Sequence, residues 1–332
     1  MEVMLLRTPR PAEDNPLEST DLSEPIPGPG EVRIRVKACG LCHTDLHEVE
    51  GDLVLPKLPL IPGHQIVGVV DALGSDARRF RAGDRVGLPW LNWTCGQCSF
   101  CRSGRENLCD RARFTGYHVD GGYAEYTVAH ERFALPLPVG FSDKAAAPLL
   151  CAGIIGYRAL KLSDLRPGER LGLYGFGASA HIAIQVARYW KAEVWVFTRS
   201  PHHREQAARL GAAWVGSAED EPPGLLDCAI SFAPAGRLIP LALARLRKGG
   251  TLALAGIHLD QIPAMDYALL YGERTIRSVT ASSRKDAEEL LQLASRIPIK
   301  TSIEIFPLKE ANRALQELKA SRITGAGVLA VA

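Results

Sequence analysis

Along the first third of the chain, apolar and polar side chains alternate one by one, as in Val32-Arg33-Ile34-Arg35-Val36-Lys37-Ala38. A period of two sends Val32, Ile34, Val36 and Ala38 to one face of a strand. Turn-forming residues interrupt such runs at Pro27-Gly28-Pro29-Gly30, Pro62-Gly63, Ala82-Gly83-Asp84 and Asp120-Gly121-Gly122. Residues 1 to about 140 therefore read as a compact β-rich domain of short strands.

Beyond Pro136 the units lengthen. The run Asp143 to Leu162 is helix-like, Pro167-Gly168 breaks it, and Arg170 to Tyr174 reads as a strand. A glycine-rich turn follows at once, then a helix with Ile182, Val186, Ala187 and Trp190 at helical spacing, then the buried-strand run Glu193 to Phe197. Leu226 to Phe232 and Thr251 to Ile257 are further strands, separated by the helical Leu238 to Leu246. Strands and helices that keep alternating towards Ala281 predict a doubly wound parallel sheet. The remaining residues hold an amphipathic helix (Arg284 to Ile297), the strand Ile303 to Pro307, a second helix (Lys309 to Ser321) and a closing strand.

Composition narrows the function classes. At about 150 residues per domain, 332 residues make two domains, and 46% apolar content gives each a core. A net charge of +2 raises no single-sign field towards nucleic acid or an anionic membrane. The N-terminus meets acidic and proline residues before any signal-like apolar run, and no later stretch reads as apolar for about 18 residues, so a cytoplasmic chain with no membrane partner is expected. Eight cysteines are too few for a disulfide scaffold, and four fall between Cys95 and Cys109.

That cluster, Cys95, Cys98, Cys101 and Cys109, has the spacing C-x2-C-x2-C-x7-C. Four thiolates close a tetrahedron around zinc and leave no open position, which suits a structural site. Free or bridged thiols are the alternative; an iron–sulfur cluster fits less well, because the ferredoxin spacing has three residues before its fourth cysteine. A dispersed set is also present: Cys39 and Cys42 lead into His43-Thr44-Asp45-Leu46-His47, Gly63-His64 follows, and Cys151 comes later. By spacing alone Cys42, His64 and Cys151 are only candidates for a three-ligand catalytic zinc. Gly175-Phe176-Gly177-Ala178-Ser179-Ala180 follows a strand and opens a helix, matching G-x-G-x-x-G/A: a tight turn, a close backbone approach to a pyrophosphate, and close helix–sheet packing.

Taken in order, Cys42-His43-Thr44-Asp45, Gly63-His64, the Cys95 to Cys109 cluster, Cys151 and the glycine turn resemble the zinc-dependent medium-chain alcohol dehydrogenases over nearly the whole chain. The resemblance implies a GroES-like β-rich catalytic domain (1–152 and 281–332) with two zinc sites, and a Rossmann dinucleotide-binding domain (153–280). It assigns Cys42, His64 and Cys151 to a catalytic zinc and leaves Cys39 unliganded. Asp45 would orient His64, Thr44 would hydrogen-bond the alcohol oxygen, His47 would end a proton relay, and His43 would face the cofactor pyrophosphate. Trp90 stands where relatives acting on small primary alcohols have a bulky pocket wall. A homodimer or homotetramer, a small alcohol or aldehyde substrate and reversible hydride transfer to a nicotinamide follow from the same likeness. Aryl or cinnamyl-type alcohols are the rival substrates, and a non-catalytic zinc-stabilised binding protein is the rival from another class.

Three positions depart from expectation. Gln65 stands where the family usually has Glu, and Ala326 where it commonly has an arginine that contacts cofactor phosphates. The strand after the glycine turn ends Phe197-Thr198-Arg199-Ser200, without the acidic residue that binds an NAD ribose. Arg199 can instead pair with a 2′-phosphate, which favours NADP(H) over NAD(H), unless its side chain points into solvent.

Overall fold

The computed structural model describes residues 1–331 and divides into two compact units, Met1–Cys151 together with the chain from Ala281 on, and Ala152–Thr280.

The first unit is built on a sheet of seven strands. Its path runs Ile303–Pro307, Ala326–Ala330, Glu31–Leu41, Gln65–Leu73, Arg85–Leu88 and Leu135–Pro136, with Tyr126–His130 also paired to Glu31–Leu41. All pairings are antiparallel except that between Ile303–Pro307 and Ala326–Ala330. The alternation read in the sequence is the packing pattern: Val32, Ile34, Val36 and Ala38 are all fully buried, while Arg35 between them is exposed. Val32, Ile34 and Val36 join Leu6, Ile66, Val70, Val86 and, from the chain's end, Leu315 and Leu329 in one core. Burial of this apolar set is the main favourable term for the unit. The helix Arg284–Ala294 starts at a capping box, in which Ser283 accepts the Asp286 N–H and Asp286 accepts the Ser283 N–H.

The second unit is a six-stranded, wholly parallel sheet in the order Trp214–Gly216, Glu193–Phe197, Arg170–Tyr174, Leu226–Ser231, Leu246–Leu254, Thr275–Ser278. Numbered along the chain this is 3-2-1-4-5-6, the doubly wound order whose reversal beside the first strand leaves a crevice for a dinucleotide. Cys228 is a core residue of its strand, 2% exposed.

Three expectations need correction. Asp143 to Leu162 is not one helix: Asp143–Ala146 is α-helical, Ala147–Leu150 tightens to 3-10, Cys151 breaks the spiral, and Ala152–Leu162 begins a new helix. Pro148 drives this, having no N–H to donate. The same run is long and apolar enough to cross a membrane by length and composition, against the expectation that no such stretch exists; it is 67% buried inside the protein. Leu246 also belongs to the following strand, Leu246–Leu254, rather than to the helix Leu238–Arg245.

Truncating the buried face of the central strand tests the pattern: Ile34→Ala should cost about 2–5 kcal/mol, and Arg35→Ala should stay within about 0.5 kcal/mol. Chemical denaturation midpoints of the two variants read the difference.

Candidate active site

The strand Glu31–Leu41 and the strand Gln65–Leu73 pair antiparallel with Cys39 opposite Ile66 and Gly40 opposite Gln65. Extending that register by one residue brings His64 level with Leu41, beside Cys42. Cys42 is the N-cap of the helix His43–Glu50, so its side chain projects from a strand end rather than from a helix flank. Pro62-Gly63 delivers His64, and Gly63 is obligatory there: its φ is +96°, and a Cβ would lie 2.3 Å from the Tyr123 ring. Cys151 arrives from the break between the 3-10 turn and the next helix, in a conformation (φ −134°, ψ −71°) that neither helix could provide.

These three arrivals converge. Cys42 Sγ is 3.4 Å from His64 Nε2 and 4.0 Å from Cys151 Sγ, and all three ligand atoms lie within 4.8 Å of one another. Ligand bonds of ~2.0–2.3 Å in a tetrahedron put neighbouring donors about 3.5–3.8 Å apart, so the set fits a zinc ion with one further position open. His64 Nδ1, on the far side of the ring, is 3.2 Å from Asp45 Oδ1, and both residues are fully buried. Asp45 Oδ2 accepts the Cys42 backbone N–H at 2.8 Å. One carboxylate thus fixes both the imidazole and the thiol-bearing turn.

Electrostatics favours a cation here. The adjoining Cys151 thiol, then burial, pushes the Cys42 thiol well above its usual range. Burial alone would depress His64, but Asp45 and the Cys42 sulfur outweigh it and hold its pKa well above the ordinary imidazole value. The protonated Cys42 thiol and the imidazolium that these shifts favour would each give up a proton for a divalent ion to bind there. Cys39, by contrast, is buried against Gly63 and Gly122 and lies outside this set.

Thr44 is buried on the first turn of the helix. His47, one turn on, is fixed by Asp52, whose Oδ2 lies 2.8 Å from His47 Nδ1. His43 is held below the usual imidazole range by burial and by His47. Trp90 meets the edge of the His64 ring at 4.8 Å and stacks on Phe114 at 5.0 Å, with Tyr117 at 5.7 Å. Sequence reasoning found Trp90 but missed Phe114, Tyr117 and Asp52, which no spacing rule connects to it or to His47.

The Cys95, Cys98, Cys101 and Cys109 sulfurs also gather within 4.8 Å of one another, and Cys95 Sγ lies 3.9 Å from Cys101 Sγ. The backbone N–H groups of Gln97 and Cys98, with Arg111, pull Cys95 down to about 5, while burial lifts Cys101 to about 11. All eight cysteines are free thiols in the structure, so the bridged alternative fails. Glu106, within the loop, pairs with Arg284 at 2.6 Å and anchors the cluster to the start of the helix Arg284–Ala294.

In the second unit, Gly175 has φ +85° and turns the chain directly after the strand Arg170–Tyr174. Gly177 caps the helix Ala178–Tyr189, and the space where its Cβ would sit is open to 4 Å, as close approach of a pyrophosphate requires. Ala180 is fully buried at the helix–sheet contact. At the next strand end Thr198 is buried and Arg199 exposed. The Thr198 carbonyl accepts from Arg204 Nε at 2.9 Å, which places a second guanidinium there. Ala326 opens the closing strand, buried, and offers no cation.

Comparison with known proteins agrees with this architecture. The Alcohol dehydrogenase GroES-like domain matches residues 28–139 and the Zinc-binding dehydrogenase domain residues 180–296. A probable alcohol dehydrogenase of Mycobacterium tuberculosis is 49% identical over 100% of this chain and 97% of its own length. Among solved structures, a cinnamyl alcohol dehydrogenase of Sorghum bicolor superposes with a TM-score of 0.91 at 29% identity, covering 99% of this chain and 97% of that one. An NAD-dependent alcohol dehydrogenase gives 0.91 at 27% identity over 100% of both chains. A paired GroES-like and parallel-sheet architecture, a full-length match near one-half identity and a cysteine–histidine set of zinc geometry together make this chain a member of the zinc-dependent medium-chain alcohol dehydrogenase family, an oxidoreductase acting on alcohols.

Proposed function

We propose that the chain interconverts short primary alcohols and aldehydes at Cys42, His64 and Cys151, with NADP(H) as its preferred cofactor. The observation that carries this reading is the convergence of those three donors within 4.8 Å, with His64 backed by the buried Asp45. When bound, zinc supplies a Lewis acid for the alcohol oxygen and the nicotinamide accepts the hydride. The protein's own residues do the rest. Thr44 accepts the substrate hydroxyl proton and passes it on; His47, one helical turn away and held by Asp52, delivers it towards solvent. His47 suits an exit because its side chain is 13% exposed, whereas Thr44 is buried. Trp90, stacked on Phe114 and in edge contact with His64, would wall the substrate position and narrow it.

The four-cysteine loop takes a second, structural zinc. Gly175, Gly177 and Ala178 receive the pyrophosphate, with His43 as a further contact, and Thr198 and Arg199 receive the adenosine ribose end. Absence of a carboxylate at 198–200, and Arg199 and Arg204 in its stead, support a 2′-phosphate. The aromatic wall of Trp90, Phe114 and Tyr117 also favours a second reading of substrate, an aryl alcohol whose ring stacks there. A cytoplasmic location accords with eight free thiols. A homodimer or homotetramer accords with Tyr267 and Tyr271, each 70% exposed, close before the edge strand Thr275–Ser278.

Steady-state kinetics with short-chain and aryl alcohols against both cofactors is the direct test, and NADP(H) should give the higher kcat/KM. Arg199→Ala should lower NADP(H) efficiency about tenfold, the worth of a charge-assisted hydrogen bond, and leave NAD(H) efficiency nearly unchanged; equal loss with both cofactors rules out the 2′-phosphate role. Metal analysis should find two zincs per chain. Cys42→Ser should abolish turnover and retain only the zinc of the Cys95 cluster, whereas a single zinc in the wild type would favour a non-catalytic binding protein.

A further inference from the structure

The helix Ala178–Tyr189 starts without a side chain to brace it: its N-cap is Gly177, in an extended conformation and with no side-chain capping bond. An ordinary N-cap side chain would accept an N–H of the first turn. A turn that receives a pyrophosphate leaves those N–H groups free, so its bracing has to act on the carbonyl side. His181 is placed to do this. Its backbone N–H donates to the Gly177 carbonyl at 3.1 Å, and its Nδ1 lies 3.4 Å from the same oxygen. One carbonyl thus accepts from two donors of a single residue.

The state of the ring follows from its surroundings. His181 is fully buried. Burial pushes its imidazole down to about 4, against the opposing pull of the Gly177 and Ala178 carbonyls, so the ring is neutral near pH 7. A carbonyl only accepts, which puts the single ring proton on Nδ1. Nε2 is then a bare acceptor, and it has no hydrogen-bond partner among the described residues. A ring kept for its volume alone would serve better as hydrocarbon, because a buried acceptor without a donor is destabilising. Nδ1 is the ring atom with a polar contact.

The Gly177 carbonyl and the Ala178 N–H belong to one planar trans peptide and point in opposite directions. Glycine by itself leaves that plane free to swing. Holding the carbonyl therefore sets the direction of the Ala178 N–H, the first of the donors that a helix start leaves unpaired.

We propose that His181 is a positioning residue for the cofactor: its Nδ1–H holds the Gly177–Ala178 peptide in the orientation that turns the Ala178 N–H towards the pyrophosphate. This rests on the reading that Gly175, Gly177 and Ala178 receive that group. His181 acts through the peptide plane and not by touching a phosphate. Both nicotinamide cofactors carry the pyrophosphate, so both depend on His181 alike, in contrast to the selective effect of Arg199.

The test compares two replacements in the zinc-loaded enzyme. His181→Phe keeps an aromatic ring and removes the donor; His181→Asn loses the ring and keeps an amide N–H near the Nδ1 position. Binding of ADP, which carries the pyrophosphate, and of adenosine, which lacks it, is measured for each. H181F should weaken ADP about fivefold, the worth of one neutral hydrogen bond, and leave adenosine within about twofold. KM for NADP(H) and for NAD(H) should rise by the same factor, with kcat at saturating cofactor unchanged. H181N should bind ADP within about twofold of the wild type. Unchanged ADP binding in H181F overturns the proposal. Equal weakening in both variants overturns it too, since that marks a packing role, as does equal weakening of ADP and adenosine, which marks a general distortion. Should H181F fail to fold, His181→Leu, smaller and equally without a donor, gives the same comparison. Failure of the underlying reading looks different: the wild type itself would bind ADP no more tightly than adenosine.

Discussion

The antiparallel register between Glu31–Leu41 and Gln65–Leu73 is the constraint on which the metal centre depends. Gly40 opposite Gln65 sets His64 beside Cys42 across a sequence gap of 22 residues. Because side chains alternate along a strand, a slip of one residue would invert every side chain of the shifted strand and carry His64 away from the cysteine. The sheet is stapled against such a slip by its own core: Ile34, Val36, Ile66 and Val70 are buried in this register and would be turned outward in the next. Packing of an ordinary hydrophobic face and placement of a metal ligand are the same event here.

Asp45 converts that placement into chemistry. It accepts the Cys42 N–H with one oxygen and faces His64 Nδ1 with the other. Nε2 is thereby committed to face Cys42, since the opposite nitrogen is engaged. The residues that hold this centre are buried and polar, and the fold tolerates them because each is either paired or directed at a site for a cation. Glu48, on the same helix as Asp45, and the amide nitrogen of Gln65, next to His64, are buried without hydrogen-bond partners. Buried polar groups left open in a well-packed domain point to what the domain is meant to bind.

The parallel-sheet unit solves a separate problem with backbone rather than side chains. Gly175 in a left-handed conformation ends the strand, and Gly177 leaves clear space before the helix Ala178–Tyr189. The helix N-terminus then presents N–H groups to an anion. Side-chain chemistry enters only at the neighbouring strand end, where Arg199 and Arg204 stand in place of a carboxylate.

Much of this was readable from the chain alone, because the relevant signals are local. Period-two alternation fixes strand faces, four cysteines between residues 95 and 109 meet in any compact loop, and a glycine turn between strand and helix has little other use. What the sequence could not decide were contacts across long separations and breaks within apolar runs. Asp143 to Leu162 has the composition of one helix, and only its packing and Pro148 reveal the interruption that frees Cys151. Phe114 and Tyr117 join Trp90, and Asp52 joins His47, through turns whose path local pattern does not encode. Glu48 reads as an ordinary charged helical residue until burial is known. The linear sequence sets which groups are available and their immediate geometry, but desolvation is a property of everything packed around a group, so tertiary structure alone decided which charges lost their water.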